Sequence, residues 1–217
     1  MSGLTPDMLL RAYCTGIFPM GETREDPTLY WVDPDERAII DLHRFHLPRR
    51  LARTVRHGAF EVSCDRDFRG VMEACAAPRP RQRQSWINQP IIDLYTALFD
   101  RGFAHSVECR IEGELVGGLY GVAINGAYFG ESMFSHVRDA SKVALVHLVA
   151  RLIKGGYSLL DCQFMTDHLR QFGTVEIGRT EYRQRLTDAL AKPSTFYLEL
   201  DGAEACAIVA QPTSQTS

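Results

Sequence analysis

The chain has 217 residues, 45% of them hydrophobic and 24% charged, with a formal net charge of −3. That is ample apolar material for one large domain or two small ones, and it excludes a uniformly basic nucleic-acid coat. No apolar run approaches the roughly 18 residues that span a bilayer, and the six cysteines stand singly, with no CxxC pair. Together with an N-terminus lacking a basic region followed by an apolar core, this reads as a cytoplasmic protein with reduced thiols and no membrane association. The charge is nonetheless uneven in kind: of 24 basic residues only Lys142, Lys154 and Lys192 are lysine. Arginine carries a planar fork suited to phosphate and carboxylate.

Thr5-Pro6-Asp7 predicts a helix start, with Thr5 as N-cap and Pro6 in the first helical position, and Gly16 as its end. A polar acidic loop covers 21–26, and short strands follow at 30–32 and 37–42. These pieces are too few for a core of their own, so 1–46 is expected to form a small N-terminal subdomain, 47–200 the main domain and 201–217 a frayed tail.

His43–His57 holds five arginines, three histidines and no acid. On a helix from Pro48, Arg49, Arg53 and Arg56 share a face that meets either water or an anion. Arg79, Arg81 and Arg83 form a second basic cluster in a Pro-rich stretch. A strand is predicted at 60–63, with Asp65 capping a helix through Phe68, Val71, Met72 and Cys75. Another helix carries Ile91, Leu94, Tyr95 and Leu98.

Strands at 105–111, 115–124 and 127–129 then follow one another, the last pair joined by Asn125-Gly126, a strong hairpin signal. Beyond them come a long helix capped by Asp139, a buried strand at 157–161, a short helix at 166–172, a strand at 175–177, a helix at 180–190 and a final strand at 196–200. A mostly antiparallel sheet with interleaved helices is the α+β class.

Few familiar chemical signatures are present. Gly117-Gly118-Leu119-Tyr120-Gly121 lies on a strand and lacks the Lys-Ser/Thr of a P-loop, so it marks close backbone approach. His43-x-x-His46 and His105-x-x-Glu108 have no second ligand pair, and no metal site is expected. Two segments place polar groups among apolar ones where strands end: Phe129–Phe134 with Glu131, and Leu159–Phe164 with Asp161 and Gln163. Each carboxylate either caps a following helix or belongs to a site. The aromatics and methionine around them (Trp86, Tyr128, Phe129, Met133, Phe134) suit an apolar ligand group or a plain core.

The residues 9–20 (LLRAYCTGIFPM), 30–37 (YWVDPDER), 85–88 (SWIN), 104–108 (AHSVE), 115–121 (LVGGLYG), 129–135 (FGESMFS), 140–145 (ASKVAL) and 160–163 (LDCQ), followed by His168, run in one order over about residues 5–190. In this the chain resembles the leucyl/phenylalanyl-tRNA–protein transferase family. Ser85 stands where Thr is common in that family, and His136 where Arg is frequent.

The resemblance implies a GNAT-like acyltransferase domain that uses no cofactor. It implies transfer of Leu or Phe, and less readily Met, from aminoacyl-tRNA to proteins with N-terminal Arg or Lys, marking them for degradation. It also implies an amino-acid pocket at Trp86, Leu119, Tyr128, Leu148 and Leu160, to which Phe129, Met133 and Phe134 of the apolar lining are added. Asp161, Gln163 and Glu131 would lie beside the reacting ester and Trp31 near the terminal adenosine. The arginines at 49, 53, 56, 79, 81 and 83 would contact tRNA, and a monomer is expected.

The chemistry agrees. An aminoacyl ester is already activated, and an α-amine with a pKa of roughly 7.7–8.0 needs little more than positioning. Asp161 would orient Gln163, and Gln163 would accept a hydrogen bond from the amine, Asp161 acting either as orienter or as general base. A CoA-dependent acetyltransferase and a non-catalytic tRNA-binding protein are the alternatives.

Overall fold

The computed structural model describes residues 4–78 and 85–210. Arg79, Arg81 and Arg83 lie outside the described residues.

Helix α1 (Pro6–Thr15) starts where Thr5 Oγ1 accepts the Met8 N–H, and it stops at Gly16, whose φ of 87° lets its N–H turn back to the last carbonyls. The chain then forms β1 (Phe18–Gly21) and β2 (Leu29–Val32), a two-stranded antiparallel sheet of their own. β3 (Glu36–Ile40) leaves this region for the main sheet. It is the one strand of the 1–46 segment to do so, and its four apolar-to-charged residues Arg37–Ile40 are all buried.

After α2 (Arg49–Arg56) come β4 (Glu61–Cys64), α3 (Phe68–Ala76), α4 (Gln89–Asp100), β5 (Ala104–Ile111), β6 (Glu114–Ile124) and β7 (Ala127–Ser135). Then follow α5 (Ala140–Lys154), β8 (Leu159–Gln163), α6 (Asp167–Arg170), β9 (Thr174–Gly178), α7 (Arg179–Leu190) and α8 (Gly202–Ala210). The main sheet has seven strands in the order β4-β5-β6-β7-β8-β3-β9. Each neighbouring pair is antiparallel except β7 and β8, which run parallel. The α+β reading with a mostly antiparallel sheet is thus what the chain forms.

Because side chains alternate along a strand, each strand feeds both faces. Tyr120, Val122 and Phe129 pack with residues of α1, α3, α4 and α7 on one face. Leu119, Tyr128 and Leu160 pack with those of α2 and α5 on the other. Fully burying side chains of this size stabilises by roughly 1.5–3 kcal/mol each. Gly117 lets the second layer close: a Cβ there would run into Ala140, the first residue of α5.

Several local expectations change. Asp67, not Asp65, caps α3 by accepting the Gly70 N–H. Asp65 takes φ 57° and accepts the Ser106 N–H and a hydrogen bond with His105 Nδ1. Asp139 sits before α5 at φ 69° with no side-chain cap, because its carboxylate is engaged by cations. Residues 196–200 pair with no strand; Phe196 stacks on the His105 ring at 4.2 Å, and the Leu198 carbonyl accepts from Arg151. The start of the expected tail instead forms α8, whose Ala205 and Cys206 are buried against α5 and α2. Among the described residues no helix is long and apolar enough to cross a membrane.

Candidate active site

The site lies where β7 and β8 part. Their parallel pairing covers only Ala127–Phe129 against Leu159–Asp161, although both strands continue beyond it. Each strand carries a register shift just past that point. Tyr120 pairs with Ser132 and Gly121 with Gly130, leaving Glu131 as the extra residue of β7. Ala38 pairs with Gln163 and Ile39 with Asp161, leaving Cys162 as the extra residue of β8. Such bulges bend a strand and re-aim a side chain. Gln163, at φ 65°, reaches across the gap, and its Nε2 donates to Glu131 Oε1 at 3.0 Å.

The opening between the two strands is a cavity of about 550 Å³. Its apolar wall includes Met20, Trp86, Leu119, Met133, Phe134, Leu145, Leu148 and Leu160, and its polar edge Glu131, Gln163 and His168. Six of the eight residues expected in an amino-acid pocket therefore share one lining. Tyr128 and Phe129 do not belong to it. Both are fully buried in β7: Tyr128 donates to the His105 carbonyl and stacks beside Phe196, and Phe129 packs on the Tyr13 ring. Met20 and Leu145 were not expected, since a lone Met before a loop and one leucine of a helix apolar on every side carry no distinguishing pattern.

Glu131 is 8% exposed and sits at the centre of a hydrogen-bond network. Tyr13 donates to its Oε1 at 2.6 Å, Tyr95 to its Oε2 at 3.1 Å, and the two tyrosine hydroxyls also meet each other. Burial pushes the Glu131 carboxyl up to about 7, against the hydrogen bonds from Tyr13, Gln163 and Tyr95, which favour the charged form. Tyr120 lines the same cavity with its hydroxyl buried and without a partner among the described residues.

Asp161 is fully buried and does not line the cavity. Arg37 grips it through Nε and Nη2, Tyr182 donates to Oδ2 at 2.8 Å, and the Gln163 N–H donates to Oδ1 at 2.8 Å. Arg37 also donates to the Gly16 carbonyl and stacks between the Phe18 and Tyr182 rings. Its charge holds Asp161, Asp161 holds the backbone of Gln163, and Gln163 holds Glu131. Arg37, Tyr13, Tyr95 and Tyr182 were invisible as site residues because each partner is at least 21 positions away in sequence.

Trp31 is 45% exposed on β2, opposite Pro19, and is outside the cavity lining. Arg49, Arg53 and Arg56 line one groove together with His46 and His57, so the expected stripe on α2 shares a face. That groove shares no lining residue with the cavity.

Comparison with known proteins places the chain among transferases. The family model described as leucyl/phenylalanyl-tRNA protein transferase matches residues 39–187, and that for the N-terminal domain of the same proteins matches residues 3–35. The leucyl/phenylalanyl-tRNA–protein transferase of Caulobacter vibrioides (strain NA1000 / CB15N) is 59% identical over 193 residues, 89% of either chain. That of Rhodopseudomonas palustris (strain TIE-1) is 56% identical over 213 residues, 96% of this chain and 95% of its own. The chain belongs to the leucyl/phenylalanyl-tRNA–protein transferase family. The structure of L-PGS from Bacillus licheniformis overlays 71% of this chain and 51% of its own at 15% identity, with a TM-score of 0.39, too loose a likeness to bear on the fold.

Proposed function

We propose that this protein transfers Leu or Phe, and less readily Met, from aminoacyl-tRNA to the α-amino group of an acceptor protein, forming a peptide bond. Proteins with N-terminal Arg or Lys are the proposed acceptors, and the added residue marks them for degradation in the cytoplasm. One observation carries this reading: an apolar cavity of about 550 Å³, with room for a Leu or Phe side chain and the ester beside it, ends at the Gln163–Glu131 hydrogen bond.

The amine nitrogen attacks the ester carbon. The new C–N bond forms, the bond to the ribose oxygen breaks, and one amine proton passes to that oxygen, which leaves as the ribose hydroxyl. The ester supplies the driving force, so the protein's task is orientation. With Gln163 Nε2 given to Glu131, Oε1 is the end of the amide that can accept from the amine. Asp161, already saturated by Arg37, Tyr182 and the Gln163 N–H, acts as the orienter and not as a base.

The apolar wall selects by size, which separates near-isosteres by only about 1–3 kcal/mol and so admits Leu, Phe and some Met. Two parallel central strands that part around the acyl site support a GNAT-like arrangement for this domain. That Arg49, Arg53 and Arg56 line one groove supports their meeting tRNA phosphates, without base readout. The protein is proposed to work as a monomer and without a cofactor.

The test is transfer of radiolabelled Leu from Leu-tRNA to a peptide beginning with Arg. Label in the peptide is the expected result, and none beside an active control enzyme would refute the function.

A further inference from the structure

A second cleft adjoins the cavity at the start of α5. It is lined by Arg50, Arg138 and Lys142 and shares Ser135, Ser141 and His168 with the acyl cavity, so the two are neighbours across one wall. The three cations converge on one carboxylate. Arg50 Nη2 lies 2.7 Å, Lys142 Nζ 3.4 Å and Arg138 Nε 3.9 Å from Asp139 oxygens. Asp139 is the one acid in the lining, so two positive charges there have no counter-charge within it.

The geometry keeps them apart from the helix face described above. Arg50 leaves α2 on a different side from Arg49, Arg53 and Arg56 and crosses to the start of α5. The end of α5 itself adds little, because Ser135 Oγ already accepts the Ser141 N–H. At the junction of the two cavities His168 Nε2 is buried and has no partner among the described residues.

We propose that this cleft seats the phosphate immediately 5′ of the acylated terminal nucleoside of the RNA, which rests on the acyl-transfer reading above. A nucleoside whose 3′-ester enters the acyl cavity carries its own 5′-phosphate one ribose away, and the cleft lies beside that cavity with the complementary charge. An anion there meets Arg138 and Lys142 directly and shares the pull of Arg50 with Asp139. Charge-assisted hydrogen bonds of this kind are the stronger ones, and two of them tighten binding by about tenfold or more. The contact fixes the register of the ester along the cavity, a task that Arg49, Arg53 and Arg56 do not perform, since their groove shares no lining residue with the acyl cavity.

The experiment compares two probes: a non-hydrolysable 3′-amide analogue of phenylalanyl-adenosine, with and without a 5′-phosphate. Calorimetry is run on the wild type and on the Arg138→Gln/Lys142→Gln double variant. Arg138 is 77% and Lys142 29% exposed, so the fold should tolerate both changes, which a thermal melt verifies. In the wild type the phosphate should tighten binding about tenfold. In the variant that gain should fall below about twofold while the unphosphorylated probe binds as before.

A phosphate gain that is absent in the wild type, or equal in the two proteins, would overturn the cleft assignment while leaving the acyl pocket intact. Failure of the unphosphorylated probe to bind the wild type would overturn the pocket reading and the cleft with it.

Discussion

Arg37 and Asp161 meet inside the protein as a two-nitrogen pair, with Nη2 to Oδ2 at 2.7 Å and side chains that are 2% and 0% exposed. A buried pair of this kind adds little net stability over an apolar pair of the same shape, but removing one partner strands the other charge. Its value here is positional, since Asp161 fixes the backbone of Gln163, the residue proposed to meet the attacking amine.

Arg37→Met should therefore destabilise the fold by about 3–5 kcal/mol, a large share of the total stability of a domain. Urea unfolding measures it. A loss below about 1 kcal/mol would mean that Tyr182 and the Gln163 N–H are sufficient to hold the carboxylate.

Gln163 can be separated from its backbone. Its φ of 65° is one that glycine adopts freely, so Gln163→Gly should keep the turn while deleting the amide that reaches Glu131. We expect near-wild-type folding and a fall in turnover of about a hundredfold, with KM for the aminoacyl-tRNA little changed. A loss expressed in KM alone would assign the amide to binding.

Leu148 is 2% exposed and contributes to the cavity wall from α5. Leu148→Phe reduces the space for the larger acyl side chain. It should lower kcat/KM for Phe relative to Leu by about 10-fold or more, the range that an apolar pocket commands. Paired assays with Leu-tRNA and Phe-tRNA read the ratio, and an unchanged ratio would place Leu148 away from the bound side chain.

Much of the fold was legible in the sequence, and the site less so, for a physical reason. Thr5-Pro6 and Gly16 delimit α1 and Asn125-Gly126 forms its hairpin because caps and turns are local chemistry. Six residues of the cavity wall were named from the sequence: Trp86, Met133 and Phe134 as apolar neighbours of the polar strand ends, and Leu119, Leu148 and Leu160 through the family resemblance. The bulges at Glu131 and Cys162 were not, since a register shift depends on the partner strand. Nor was the chain from Arg37 through Asp161 to Gln163, since Arg37 lies 124 residues from its partner. Helix α8 was missed because Gly202–Ala210 lacks polar–apolar alternation strong enough to mark a buried face.

The stripe on α2 predicts a salt dependence. If Arg49, Arg53 and Arg56 each meet an RNA phosphate, changing all three to Gln should reduce the slope of log K against log salt by about 2 to 3. The unphosphorylated nucleoside probe, which has no phosphate, should bind unchanged. An unaltered slope in filter binding with tRNA would move the RNA path away from this helix.

Glu131 sets the pH response. Its carboxyl is pushed up to about 7 in the folded protein, from the 4.5 of a free side chain, mainly by burial. The folded state thus holds this proton more tightly than the unfolded chain does. The resulting stabilisation is fully present below about pH 4.5 and is lost as pH rises through about 7, a change of roughly 3 kcal/mol as an order of magnitude. Glu131→Gln removes the titration, so the variant should gain stability relative to the wild type between pH 5 and 8. Activity should run in the opposite direction. An ionised Glu131 best accepts from Gln163 Nε2, and the attacking amine must also be neutral, with a pKa of roughly 7.7–8.0. Below about pH 7 two protons then oppose the reaction, so log kcat/KM should rise with a slope near two in the wild type and near one in Glu131→Gln. A slope near one in both proteins would show that Glu131 works in a single protonation state, and the tyrosine pair would then be what holds Gln163 in place.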